Sequence, residues 1–270
     1  MKLNLVNAGT GATWVKLGIQ TFFRRPVAMM GLFLTFMASM SVLTLVPVLG
    51  LPLAMMLLPA ATLGLMLATF QVTQGIFPMP LILLSAFRTH NHTTNTARAV
   101  LTLGLIYSAG FLTAMGVTIL IDGGGFASLY LGGSTPTSAL MQSSEFQQAM
   151  WAFVCLHLPL SLMVWHAPAL VFWHGLPVLK SLFFSVVACF RNFWAFTVFG
   201  VIWMTIMVLT VMFTSTLSAF WGVPALSGSL MFLSLMLVAS MFFCSLYFTF
   251  RDCFSDTAPQ PVDQLSTPLG

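Results

Sequence analysis

Six long stretches of the chain contain only apolar and small polar residues, and short segments carrying nearly all of the charge separate them. A helix needs about 20 such residues to cross a hydrocarbon core of roughly 30 Å. Charged side chains, which cost roughly 2.5 to 3.5 kcal/mol at a helix centre, occur in none of the six. The pattern therefore predicts transmembrane helices near residues 27–47, 52–73, 99–121, 149–171, 193–215 and 226–248.

Shorter amphipathic segments precede some of these spans. In residues 14–23 the apolar side chains Val15, Ile19 and Phe22 share one helical face, opposite Lys16 and the other polar residues. Residues 177–190 repeat this design, with apolar residues at helical spacing and small residues on the other side. Such helices lie in the membrane interface. We therefore expect an all-α, polytopic membrane helical bundle with six transmembrane helices plus cytoplasmic interfacial amphipathic helices.

Composition excludes the other classes of fold. The chain is 59% hydrophobic and 5% charged, whereas a soluble domain has about 25% charged residues. A transmembrane β-barrel would alternate apolar and polar positions. The expected organisation is a cytoplasmic N-terminus with an interfacial helix (1–26), a six-helix transmembrane domain (27–250) and a disordered cytoplasmic tail (251–270).

The basic residues predict the orientation. All nine Lys and Arg residues lie before the first span, after the sixth, or in the connections that follow the second and fourth spans. The other three connections, including the long one over residues 122–148, contain none. By the positive-inside rule both termini are cytoplasmic, which fits an even number of spans. The net charge of +4 therefore comes from basic residues that mark the cytoplasmic side of the membrane. It does not indicate binding to nucleic acid.

His157 and His166, inside the fourth predicted span, are the candidate cofactor-binding residues. Ionisable side chains in hydrocarbon need partners, so they mark a functional hypothesis. However, side chains on one helical face recur three, four or seven residues apart, and these two lie nine apart. We expect neutral imidazoles bonded to the backbone of their own helix near Pro159 and Pro168, with no cofactor and no metal site.

The sequence contains no set of residues typical of an enzyme. It has no HExxH motif, glycine-rich phosphate loop or paired carboxylates, and its four cysteines follow no metal-binding spacing. Small residues do recur at helical spacing, as Ala60, Gly64 and Ala68 in the second span and as Gly104 and Ser108 in the third. Such rows allow close helix contacts, within the chain or in association with itself or with other membrane proteins.

Two motifs carry a resemblance to a known family. The residues of the first are Trp14, Phe22, Phe23, Arg24, Arg25 and Pro26, and those of the second are Ala167, Pro168, Ala169 and Leu170. Together with Lys180, Ser181, Arg191 and Asn192, they resemble a proteobacterial family of multi-pass inner-membrane proteins of unknown function. That family is distantly similar to the membrane domain of glycerophosphodiester phosphodiesterases. The resemblance implies six helices in a bacterial inner membrane and carries over no catalytic or binding residue.

These observations favour a non-enzymatic function. We expect a scaffold, an assembly factor or a partner subunit. Its expected partners are the lipid bilayer and other membrane proteins. The alternative is a transporter or channel for an uncharged or hydrophobic solute, with His157 and His166 lining the path or binding haem or a metal. A water-accessible cavity reaching either histidine would favour that alternative.

Overall fold

A computed structural model describes residues 2–87, 96–133, 135, 137–221 and 224–254. These residues form α helices and one 3₁₀ helix, with no strand among them. The helices are α1 (Thr10–Arg24), α2 (Pro26–Thr44), α3 (Gly50–Thr73), the 3₁₀ helix (Pro80–Phe87), α4 (Thr96–Asp122), α5 (Gly125–Tyr130), α6 (Ser138–Gln142), α7 (Ser144–Trp165), α8 (Ala167–His174), α9 (Val178–Arg191), α10 (Phe193–Trp221) and α11 (Pro224–Cys253). The all-α prediction is confirmed.

Six helical segments are long and apolar enough to cross a membrane. α7 and α8 form one of them together, because only His166 separates them. The segments are Pro26–Thr44, Gly50–Thr73, Thr96–Asp122, Ser144–His174, Phe193–Phe220 and Gly228–Cys253. All six predicted spans overlap them, so the polytopic bundle is confirmed. Of the predicted tail, residues 255–270 lie outside the described part of the chain.

Six alternating spans return the chain to the end of the bundle where it began. The backbone N–H of Asn4 donates a 2.9 Å hydrogen bond to the carbonyl of Cys253, so the first described residues lie beside the last helix. We call this the termini end, and α1 and α9 are also there. The opposite end, the loop end, contains the short helices α5 and α6.

α3 is the most buried span, with 56% of its apolar window inside the bundle. α4 approaches it closely because α4 carries small residues at the contact. A Cβ at Gly104 would overlap the carbonyl oxygen of Met56, and the hydroxyl of Ser108 donates a 2.9 Å hydrogen bond to the carbonyl of Pro52. The predicted row of Gly104 and Ser108 is therefore an α3–α4 contact.

The row of Ala60, Gly64 and Ala68 also packs within the chain. Ala60 and Ala68 are buried, and a Cβ at Gly64 would come 2.7 Å from the Cα of Leu83 in the 3₁₀ helix. This row therefore makes a contact within the chain, and self-association through it stays a prediction. The 3₁₀ helix of the same chain covers it.

An outward-facing row of small residues occurs instead on α2. Gly31, Thr35 and Ser39 follow one another at four-residue spacing and are all exposed. We call these three residues the outer row. A Cβ at Gly31 would meet no atom within 4 Å. The opposite face of α2, including Phe33 and Phe36, is buried in the bundle.

α1 is amphipathic as predicted, since Val15 and Phe22 are buried whereas Lys16 is exposed. Its buried face also contains Trp14 and Gly18, and it packs against α10 and α11. A Cβ at Gly18 would come 2.6 Å from the Cβ of Ser245. The apolar face of α1 therefore contacts protein as well as any lipid.

α9 turns its small residues inward. Ser181, Ser185 and Ala188 have no exposed surface and pack against α7 and α8, whereas Phe183 and Phe190 are exposed. In water this arrangement would be inverted. Beside lipid it is favourable, because the large apolar side chains face hydrocarbon and the serine hydroxyls bond within the protein.

Candidate functional site

The fourth span is broken at His166, and Ser185 of α9 occupies the break. The hydroxyl of Ser185 donates a 2.7 Å hydrogen bond to the carbonyl of Leu162 and accepts a 3.0 Å bond from the backbone N–H of His166. In a continuous helix these two backbone groups would bond to each other. Pro168, in the first turn of α8, follows the break. Ser185 therefore satisfies both groups and fixes the position of α9 on the bend.

The imidazole of His166 is fully buried and reaches across to α11. Its Nε2 lies 3.2 Å from the Thr249 hydroxyl, which donates its own proton to the carbonyl of Leu246 at 2.8 Å. The indole N–H of Trp165 donates to the same hydroxyl at 3.3 Å. With the single hydroxyl proton bonded to the carbonyl of Leu246, the hydrogen-bond network assigns the donor role to Nε2 of His166.

The remaining ring nitrogen of His166, Nδ1, is buried with no hydrogen-bond partner in the described structure. The rings of Phe196, Phe250 and Phe254 surround the imidazole, with centroids 5.4 to 6.2 Å away. The expected bond to the backbone of the same helix is not formed here. The partner of His166 is a side chain on another span, so this contact joins the α7–α8 break to α11.

His157 lies in a separate aromatic cluster towards the loop end. Its ring stacks on Phe153 at 4.9 Å with an interplanar angle of 10° and meets the edges of Tyr107 and Phe111 at 5.9 Å. Its Nδ1 is also buried with no partner among the described residues. None of these rings contacts His166, so the structure does not bring the two histidines together.

No three side chains of His, Cys, Asp or Glu in the described ranges lie close enough to share a metal ion. All four cysteines are free thiols, and Cys155 is exposed whereas Cys189, Cys244 and Cys253 are buried. The described chain therefore presents polar contacts between helices rather than a set of ligands.

A second polar cluster, which we call the terminal latch, joins both ends of the chain at the termini end. Asn192, between α9 and α10, accepts a 2.8 Å hydrogen bond from the backbone N–H of Val6 through Oδ1. Its Nδ2 donates to the carbonyl of Asn4 at 3.1 Å and to Sγ of Cys253 at 3.5 Å. One buried amide thus holds the N-terminal segment against the end of α11.

The sequence patterns did not identify the latch or the residues that bond at the helix break. Ser185 and Thr249 are small polar residues in apolar stretches, and no spacing relates one to the other. Asn192 was a stronger signal, because it belongs to the motifs that carry the family resemblance. Asn192 is 2% exposed, and a buried side-chain amide requires hydrogen-bond partners.

The chain is similar to a protein described as a probable inner membrane protein of Burkholderia thailandensis. The two are 33% identical over 261 residues, which cover 96% of each chain. This confirms the resemblance to bacterial inner-membrane proteins. No family model and no solved structure matches the chain, so the distant similarity to glycerophosphodiester phosphodiesterases stays a prediction.

Proposed function

We propose that this chain, which belongs to the family of the probable inner membrane protein of Burkholderia thailandensis, is a non-enzymatic partner subunit that binds another membrane protein through α2. Six apolar helices and membership of that family agree in making it a multi-pass inner-membrane protein. By the distribution of Lys and Arg, its termini end faces the cytoplasm.

The outer row of α2 is the observation that carries this proposal. Gly31, Thr35 and Ser39 leave a shallow groove along the helix, where a second helix can approach to close packing distance. The hydroxyls of Thr35 and Ser39 donate 2.8 Å hydrogen bonds to the carbonyls of Gly31 and Thr35, so they add no unsatisfied donors to this face. The other two small-residue rows are occupied within the chain.

α10 supports the same function. Only 11% of its apolar window is buried, the lowest share of the six spans. The consecutive residues Met212 and Phe213 are 61% and 67% exposed although they point about 100° apart around the helix. The loop-end half of α10 is thus open on more than one side and leaves room for helices of a partner.

The alternative, a transporter with His157 and His166 lining its path, has less support. His166 has no exposed surface, and its donor nitrogen is engaged by Thr249. The two histidines occupy different clusters of side chains. A scaffold needs neither a solute path nor a catalytic group, and the outer row gives it a specific surface.

Site-specific photo-crosslinking in intact membranes tests the proposal. A photoreactive residue at Thr35 should form an adduct with a distinct membrane protein, whereas one at Leu105, which is 58% exposed on α4, should not. Gly31→Leu adds bulk to the outer row where the chain itself has free space, so it should remove the Thr35 adduct without lowering the amount of folded protein.

Gly116→Leu is the matched control, because a Cβ at Gly116 also meets no atom within 4 Å but lies on α4. It should leave the Thr35 adduct unchanged. Equal adducts from Thr35 and Leu105, or an adduct that survives Gly31→Leu, would contradict the proposal. An adduct of twice the mass of the chain would replace it with self-association.

A further inference from the structure

The termini end carries unneutralised positive charge. Six basic residues there are exposed and form no ion pair with any described acid: Lys2, Lys16, Arg24, Arg25, Lys180 and Arg191. The described acid at this end, Asp252, already accepts hydrogen bonds from Trp14 and Arg251. At the loop end the described charges are the acids Asp122 and Glu145. The termini end therefore fits an anionic partner.

Three polar side chains form a row on the outer face of α1. Lys16, Gln20 and Arg24 lie four residues apart and are all exposed. Neighbours at this spacing have Cβ atoms roughly 5–6 Å apart, so the three side chains can act on one ligand surface. The opposite face, with Trp14 and Gly18, is buried and fixes which way the row points. We call these three residues the basic row.

The slant of α1 sets the depth of the basic row. Trp14 bonds to Asp252 near the end of α11, whereas Gly18 packs on Ser245, about two turns earlier in α11. α1 thus descends along α11 towards the start of α2. From Lys16 to Arg24 the row extends about 12 Å along the helix, at about 1.5 Å per residue. The headgroup layer on each side of the hydrocarbon is roughly 5–8 Å thick, so a slanting row of this length is long enough to reach through it.

We propose that the basic row binds the phosphate of an anionic phospholipid at the termini end. Lys16 and Arg24 donate charge-assisted hydrogen bonds to phosphate oxygens, and the amide of Gln20 donates between them. Phe23, 61% exposed beside Arg24, inserts among the acyl chains. An acidic segment of a soluble protein would match the charge but not this depth or the neighbouring aromatic ring.

The test measures lipid binding to the full-length protein by native mass spectrometry in a neutral detergent. Phosphatidylglycerol is titrated against the wild type, with phosphatidylcholine as the zwitterionic comparison and inorganic phosphate as the competitor. The double variant Lys16→Gln with Arg24→Gln should bind phosphatidylglycerol about 25-fold more weakly, since each basic side chain near an anionic surface contributes about fivefold. Gln20→Glu, an exposed change that places a carboxylate in the row, should also weaken binding.

The matched control removes the same charge from the same end. Lys180→Gln with Arg191→Gln should change the affinity for phosphatidylglycerol by less than twofold, because both residues belong to α9 and lie outside the basic row. Equal losses in the two double variants, or equal binding of phosphatidylcholine by the wild type, would overturn the proposal. So would displacement of the lipid by millimolar inorganic phosphate, because the ligand would then be the free anion. Should the first double variant fail to fold, Gln20→Glu decides alone.

Discussion

The indole N–H of Trp14 donates a 2.9 Å hydrogen bond to Oδ2 of Asp252, across 238 positions of sequence. Trp14 has no exposed surface, and its ring also packs on Phe196 and Phe199 of α10 at 5.1 and 6.0 Å. One side chain of α1 therefore contacts both helices of the last hairpin. The guanidinium of Arg251 holds the other carboxylate oxygen of Asp252 at 2.8 Å.

Trp14→Phe should lower stability. It keeps an aromatic ring against α10 but removes the N–H that donates to the partly buried carboxylate of Asp252. Hydrogen bonds to charged groups contribute about 1.5–3 kcal/mol, so we expect a loss of about that size in the free energy of unfolding. Thermal unfolding in detergent, followed by circular dichroism, measures it. Trp194→Phe is the control, since Trp194 is 70% exposed and should tolerate the change. Equal effects of the two variants would contradict the role of the bond.

Ser185→Ala should destabilise the bend between α7 and α8. It removes the group that bonds to both Leu162 and His166, and an unsatisfied buried backbone group costs about 1–3 kcal/mol. Ser181→Ala provides the comparison on the same face of α9. Ser181 is equally buried, but its hydroxyl bonds only to the carbonyl of Val178 in its own helix, so its loss should cost little. Chemical denaturation of both variants measures the difference. Equal unfolding midpoints for Ser185→Ala and Ser181→Ala would contradict the role of Ser185 at the bend.

For His166 we expect Gln to be tolerated better than Leu. An amide can donate to Thr249 as the imidazole does, with a loss on the order of 1 kcal/mol, whereas Leu leaves Thr249 without that donor. His157→Gln should have a smaller effect still, because that ring is half-buried and its described contacts are with aromatic rings. Thermal stability of the three variants gives the order. A haem spectrum or stoichiometric metal in the wild type, lost in either Gln variant, would instead establish a cofactor role.

The orientation of the bundle is tested with a reporter enzyme that is active only outside the cytoplasm. Fused at Gly125, in the loop end, it should be active. Fused at Ser266, beyond the sixth span, it should be inactive. The reverse pattern would show that the termini end faces outwards.

The six spans could be predicted because their signal is strong and local. A predominantly apolar stretch of about 20 residues without charge is sufficient to identify a candidate membrane helix, whatever it packs against. The small-residue rows were also readable as contact surfaces, but their partners were not. Nothing along the chain indicates that Gly64 faces the 3₁₀ helix while Gly31 faces outwards, because that choice depends on how the spans assemble.

The inward face of α9 shows the same limit. Amphipathic spacing separates Ser181 and Ser185 from Phe183 and Phe190, yet it does not say which face meets protein. In water the apolar face would be buried. In a bilayer it need not be, because lipid chains are as apolar as the side chains. No periodicity along the chain predicts a contact between residues of two different helices, such as Ser185 with Leu162.

The terminal latch and the packing of α1 impose an order on biogenesis. The ribosome adds about 5–20 residues per second. Asp252 lies 238 residues after Trp14, so it is synthesised about 12 to 48 s later. During that interval the apolar face of α1 has neither α10 nor α11 to cover it. The nascent chain must shelter that face on lipid or on the insertion machinery, and the native closure of the N-terminus can occur only once the last hairpin has entered the membrane.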